Sequence, residues 1–210
     1  ALKTIFVIDP IYTIPLLISL LYVFRTKDEF LRRKYVYRGL IISSVYLMLS
    51  CGIKLFALNK FEKALEHQQI SYNQIIVKPT AFNTILWNAN VKTKDGYLLA
   101  DYSLFDQKPI TFTLYETNQI IEKQISDNPT FKKLVNIAEG WYTITQQNDK
   151  IYFNDLRFGL LNYDLKSPQF AFSYEFTRND NEEFVVSEVP KAKRDGKLLM
   201  QKLWKRLRGN

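Results

Sequence analysis

Histidine and cysteine each occur once in this 210-residue sequence, as His67 and Cys51. A single histidine excludes a His-pair zinc site or a mixed Cys/His cluster built from these residues alone. It also excludes a nucleophile–histidine–acid set, because His67 stands on an amphipathic stretch that reads as surface. A lone cysteine cannot close an internal disulfide, so cysteine usage leaves the redox compartment unread. Glycine is scarce: the seven glycines are scattered and none builds a phosphate-cradling loop. There is no signal-peptide pattern, since Lys3 is the only early cation and no small-residue cleavage site follows the first apolar run. The chain opens at Ala1 directly into apolar sequence, from which further residues upstream are expected. Internal repeats and low-complexity tracts are lacking too.

What the chain has is positive charge, in two places. The net charge is +8. Residues 25–38 hold Arg25, Lys27, Arg32, Arg33, Lys34 and Arg38 against Asp28 and Glu29, a local +4. Residues 191–210 hold eight Lys or Arg against Asp195, a local +7, which leaves −3 for the rest. Both clusters flank apolar or amphipathic segments. That pattern fits an anionic membrane surface, and no nucleic-acid partner is expected.

Two long apolar runs follow the same logic. Thr4–Phe24 is apolar except for Asp9, Pro10 and Pro15, and Gly39–Leu58 is twenty residues with one charge, Lys54, near its end. A bilayer core needs about 20 apolar residues as helix, and Lys54 can snorkel to the interface. Residues 1–69 therefore read as a transmembrane helical hairpin joined by a basic loop over 25–38; a pair of buried core helices is the alternative. Membrane lipid is the implied partner. Asp9 reads as the N-cap of a helix starting at Pro10. Pro15 frees the carbonyl of Ile11 and predicts a kink. A carboxylate at membrane depth also makes Asp9 the candidate catalytic residue, facing a polar site that residues outside this chain would cover.

From residue 70 the composition turns to β-branched and aromatic residues. Strand-like runs flank Asp95-Gly96 and Asn148-Asp149, two hairpin signals. Asn128 with Pro129 starts a helix that Gly140 ends. Phe170, Phe172, Tyr174 and Phe176 alternate along a further strand. About seven strands and one helix make residues 70–190 a small α+β domain, mostly antiparallel. Residues 191–210 read as a basic amphipathic helix lying on a membrane surface through Leu203, Trp204 and Leu207, with Lys205 and Arg206 at the headgroups; packing on the β-domain is the alternative. Asp155 and Arg157 share a strand face and read as a structural ion pair.

Five stretches in this order, FVIDPIYTIPLL, PTAFNTILWNANV, DGYLLADYSLFD, EGWYTI and NDLRFG, resemble the C-terminal part of the bacterial membrane-bound metal-dependent hydrolases, also described as LexA-binding inner-membrane-associated hydrolases. The resemblance covers residues 4–178. It implies an inner-membrane location and a divalent metal held by His and Asp residues upstream of this chain, with no metal ligand inside it. It places Ile8, Asp9 and Pro10 in one family element, Phe82, Asn83, Thr84 and Trp87 in a second, and Asp155 to Gly159 in a third. Asn83, Trp87 and Arg157 become the substrate-binding candidates. Upstream membrane helices or partner subunits are implied, and the β-domain is expected on the outer side of the membrane. A non-catalytic, membrane-anchored binding or scaffold subunit is the competing expectation.

Overall fold

The computed structural model describes residues 3–162, 169–179, 182–190 and 196–209. Among them are five helices and two antiparallel sheets, an α+β layout. Helix α1 (Pro10–Arg25) begins as its sequence dictates: the Asp9 side chain accepts from the backbone N–H groups of Ile11 and Tyr12, and Pro10 takes the position where a missing N–H costs nothing. The helix continues through Pro15.

Helix α2 (Glu29–His67) is 39 residues long, about 58 Å at the standard rise. Here the structure corrects the basic loop. Only Thr26–Asp28 connects the two helices, because Asp28 caps α2 at once and Glu29 pairs with Arg33 one turn on. Arg32, Arg33, Lys34 and Arg38 therefore sit on the first turns of α2. α2 is long and apolar enough to cross a membrane by length and composition, whereas the 16 residues of α1 are fewer.

α1 and α2 pack antiparallel through small residues. Ser19 donates to the Tyr35 carbonyl, Tyr22 and Tyr35 stack with ring centroids 5.0 Å apart, and Gly39 lies directly against Ser19. No residue of α1, all of them described, is buried, and its Leu17, Ile18, Leu20 and Leu21 are about half exposed.

The far end of α2 has a different job. Ala57, Phe61 and Leu65, four apart, are fully buried. They pack on one face of a sheet made of β1 (Gln74–Pro79), β2 (Leu86–Lys92), β3 (Gly96–Ser103) and β4 (Thr113–Glu116), paired in that order, through Val77, Trp87, Ala89, Val91 and Ala100. The Asp95-Gly96 hairpin joins β2 to β3, and Gly96 is obligatory there. Its φ is +148°, and a Cβ would meet the Tyr115 carbonyl oxygen at 2.4 Å.

The second sheet runs β5 (Tyr142–Gln147), β6 (Lys150–Asn162), β7 (Gln169–Arg178) and β8 (Phe184–Glu188), also in sequence order. One side packs on the first sheet through Tyr97, Leu99, Trp141, Leu156 and Phe170. The other side is covered by α3 (Gln119–Ile125) and α4 (Pro129–Ile137), with Phe131 edge-on to both Phe153 and Phe176. Asn128 and Pro129 start α4 as expected. The eight strands slightly exceed expectation. The short α3, capped by Asn118, was not anticipated because seven residues carry too little periodicity to read. The architecture is four layers: α2, first sheet, second sheet, and α3 with α4.

Helix α5 (Gly196–Leu207) ends the chain's described part, while residues 191–195 of the tail lie outside it. Its last turn docks on the β-domain. Arg206 forms a two-pronged pair with Asp106, Nη1–Oδ1 and Nη2–Oδ2 both 2.6 Å, and Ser103 donates to the Leu207 carbonyl at 2.6 Å. Leu207 is buried there. Trp204, Met200 and Leu198 stay exposed.

The contact at Gly39 is testable. A Cβ would lie 2.5 Å from Ser19 Oγ and 2.7 Å from its Cβ. Gly39→Leu should lower stability by about 2 kcal/mol, an overpacking cost, as read by thermal unfolding of the purified chain. Ser19→Ala in the same background should leave most of that loss, since Cβ as well as Oγ is in the way.

Candidate functional site

Two polar groupings lie inside this otherwise apolar packing. The first joins the helices to the β-domain. Asp9 is 1% exposed. Oδ1 accepts from the N–H groups of Ile11 and Tyr12, and Oδ2 accepts from the Tyr46 hydroxyl of α2 at 2.7 Å. Tyr46 in turn lies 3.4 Å from the Thr84 hydroxyl. The expectation that residues outside this chain must cover Asp9 is thus corrected: it is already buried within this chain, with Tyr46 on its Oδ2. The 80–84 loop is self-organised. Asn83 accepts from the N–H groups of Ile85 and Leu86 and donates to Thr80 and Ala81, with Phe82 at φ +65° beside it. The Trp87 indole N–H donates to the Thr84 carbonyl, and the ring is fully buried.

The second grouping runs between the sheets. Lys78, Asn88 and Asp101 stand opposite one another on β1, β2 and β3, in register. Directly paired residues share a face of an antiparallel sheet, and this face turns toward the second sheet. Two residues along the same face, Asn90 donates from Nδ2 to the Leu156 carbonyl at 2.7 Å and so ties the sheets together. Asn88 donates to Asp101 Oδ1 at 3.0 Å and to the Ala100 carbonyl. Lys78 is half-buried along its stem, but its Nζ is enclosed and finds no hydrogen-bond partner among the described residues. The same holds for Asn88 Oδ1, Asn90 Oδ1 and the Tyr115 hydroxyl. Burial therefore pulls Lys78 down to about 7, against the attraction of Asp155 and Asp101 and together with the repulsion of Lys3 and Arg157.

Arg157 bounds this layer. Its Nη2 lies 2.8 Å from Asp155 Oδ2, and Nη1 lies 3.6 Å from Glu139 Oε1. The hydrogen bonds to Asp155 outweigh burial and raise Arg157 above its ordinary range. Lys3 reaches the same Glu139, so the chain's start, Glu139 and Arg157 form one ion-paired edge.

Among the residues expected at a site, Asn83 and Trp87 come together with Asp9 through Thr84, while Arg157 lies in the other grouping. The polar atoms of Asn83 and Trp87 serve the loop itself. Of the tail residues, Arg206 and Leu207 are taken into docking, Leu203 is half-buried, and Lys205 and Trp204 remain exposed. Sequence reading missed Lys78, Asn88, Asp101 and Tyr115 as a group. The available signal was Lys78, Asn88 and Asp101 at interior strand positions, but only strand register aligns them.

Among the described residues no group of three His, Cys, Asp or Glu is placed to hold a metal ion. Asp9 is the nearest candidate, yet each of its oxygens already serves the cap or Tyr46. Compared with protein-family models, curated proteins and solved structures, the chain shows no match.

Two outcomes test the structural roles of Asp9 and Lys78. Asp9→Asn keeps the cap but loses the Oδ2 acceptor of Tyr46 and should cost about 1 kcal/mol, whereas Asp9→Ala loses both and should cost about 2–3 kcal/mol, read by thermal unfolding. Lys78 gives a pH signature. Its folded value of about 7 lies below its unfolded value of 10.5. The unfolded chain then binds more protons between those values, so the penalty is full below pH 7 and fades as pH rises toward 10.5. Lys78→Met should be more stable than the parent at pH 6, with the gap narrowing by pH 9. Parallel pH curves for the two proteins would contradict the burial of a charged amine.

Proposed function

We propose that this chain is the membrane-anchored C-terminal part of a metal-dependent hydrolase of the bacterial inner membrane. In this reading α1 and the first half of α2 form a transmembrane hairpin, and the β-domain stands on the outer face. The metal and its ligands belong to residues upstream. This chain supplies anchoring and placement, and no chemical step is routed through its own side chains. The observation that carries the reading is the contrast along α2. Leu40, Ile41, Ile42, Val45, Met48 and Leu49 are exposed up to and just past its midpoint, while Ala57, Phe61 and Leu65 are fully buried on the face of its second half that meets the sheet, with Leu55 and Phe56 still exposed on the other faces. An apolar stripe of that extent exposed to water is costly, and lipid removes the cost.

Orientation follows from charge. Arg25, Lys27, Arg32, Arg33, Lys34 and Arg38 cluster at the end of the hairpin away from the β-domain, and such clusters stay cytoplasmic. The exposed Trp204, Met200 and Leu198 of α5, beside Lys197, Lys202 and Lys205, supply a second contact for anionic lipid. The competing reading is a non-catalytic anchored binding subunit.

Two measurements test these readings. A Cys introduced at Asn148, in a Cys51→Ser background, should react with an impermeant reagent in intact spheroplasts; protection there with labelling after lysis would reverse the orientation. Metal analysis should find about one divalent ion per chain in protein carrying the upstream residues and none in residues 1–210 alone. Absence of metal from the longer protein would favour the binding-subunit reading.

A further inference from the structure

The β-domain meets the helix hairpin at one end, and named contacts define that end. Thr84 lies beside Tyr46 of α2, and Phe82 packs against Phe6 with ring centroids 6.3 Å apart. The Leu104 N–H donates to the Ile85 carbonyl, which brings the β3–β4 loop to the 80–85 loop. Phe56 of α2 reaches Tyr102 on β3, 6.5 Å between centroids. The end of α5 is clasped to the same β3–β4 loop: Arg206 pairs with Asp106, and Gly209 lies directly against the Phe105 carbonyl.

Length places this end at the edge of a bilayer. α1 has 16 residues, about 24 Å as helix, against the roughly 30 Å of a hydrocarbon core. About 6 Å of apolar surface is therefore wanting beyond Pro10. α2 marks the same level independently. Its exposed large apolar side chains run as far as Leu55 and Phe56 and stop there, and Gly39 to Phe56 spans about 26 Å. One turn further on, the Lys60 ammonium lies 5.4 Å from the centre of the Phe56 ring, a cation where lipid would give way to water.

What stands at that level outside the two helices is apolar and exposed. Val7 is 92% and Ile8 60% exposed just before α1, and Phe82 and Phe105 are 41% and 58% exposed in their loops. Apolar side chains scattered over a surface mean little, but these four share the one end where α1 falls short. Phe82 also keeps a φ of +65°, a left-handed conformation that bulky residues rarely adopt, and the Asn83 amide holds the turn through Thr80 and Ala81. α5 adds Met200 and Trp204, four apart and exposed, with Arg208 5.3 Å from the Trp204 ring centre and Lys197 seven residues before it. Cations around an exposed aromatic match anionic headgroups. A partner protein would not be tied to the level at which both helices turn from apolar to polar; a bilayer is.

We propose that Val7, Ile8, Phe82 and Phe105 form a rim that seats the β-domain in the headgroup–acyl boundary of an anionic phospholipid bilayer, with Met200 and Trp204 of α5 continuing it. The seat rests on the anchoring of α1 and α2 proposed above. Its consequence is a β-domain held against the membrane rather than carried above it on α2.

The test uses the full chain in nanodiscs of phosphatidylcholine and phosphatidylglycerol. Val7→Cys, Phe82→Cys and Phe105→Cys, each in a Cys51→Ser background, carry a nitroxide, with Ile42→Cys as the lipid reference and Asn148→Cys as the water reference. Power-saturation EPR compares oxygen, which concentrates in lipid, with a nickel chelate that stays in water. Labels at Val7 and Phe105 should be at least five-fold less accessible to the chelate than the label at Asn148, and more accessible to oxygen. Both residues are exposed, so exchanging them removes little packing; Phe82→Cys also loses the Phe6 contact and is read only where thermal unfolding matches the parent. Chelate access at either Val7 or Phe105 equal to that at Asn148, with Ile42 in lipid, would overturn the seat and leave the anchor standing. Chelate access at Ile42 would overturn the anchor and the seat with it. Low access to both reagents at the rim would mean burial against protein, such as a second copy of the chain, and would overturn the lipid assignment.

Discussion

Everything else in this molecule hangs on the stripe Ala57, Phe61 and Leu65. It converts an apolar helix into the backing of a sheet. A four-stranded sheet has two faces to cover, and α2 covers one while the second sheet covers the other. Burial of Phe61, Leu65 and the Trp87 they flank removes several hundred Å² from water, worth several kcal/mol at about 25 cal/mol per Å². Without that contact the outer face of β1–β3, with Val77, Ala89 and Val91, would be bare. The helix hairpin and the β-domain are thus not two modules on a string.

The polar row between the sheets is expensive by comparison. A lysine amine and three further oxygens, all without a hydrogen-bond partner among the described residues, sit where aliphatic residues would pack. The row also does structural work, since Asn90 bridges to Leu156 and Tyr97 donates to the Gly140 carbonyl at 2.6 Å. These bonds fix how one sheet lies on the other, which apolar contacts alone would leave free to slide. Tyr115 and Asn88 contribute nothing to that tie through their unpaired oxygens.

Local signals were legible where local physics decides. Asp9-Pro10, Asn128-Pro129 and Asp95-Gly96 each announce a cap or turn by backbone chemistry, and each stands where it was expected. The apolar runs marked α1 and α2 but not where α2 begins, because Arg and Lys are good helix formers and a charged first turn looks like a loop. The two sheets were readable as strands and hairpins, not as layers. Which faces meet depends on register between residues far apart in sequence. For the same reason nothing local to Lys78 marks it as enclosed between the sheets. Arg206 was legible as a cation beside a Trp, yet its partner is Asp106, about a hundred positions earlier.

Continuity of α2 has a mechanical consequence. The 39-residue helix has no proline, and its one interior glycine besides Gly39, Gly52, keeps ordinary helical geometry. A rod of about 58 Å without a hinge transmits angle rather than absorbing it. Rocking its first half by about 10° would carry its far end sideways by about 10 Å over that length. Since the far end is the floor of a sheet, the β-domain would swing with it as one body. A change in the thickness or curvature of whatever surrounds the first half would thus be felt at the second as a change of attitude.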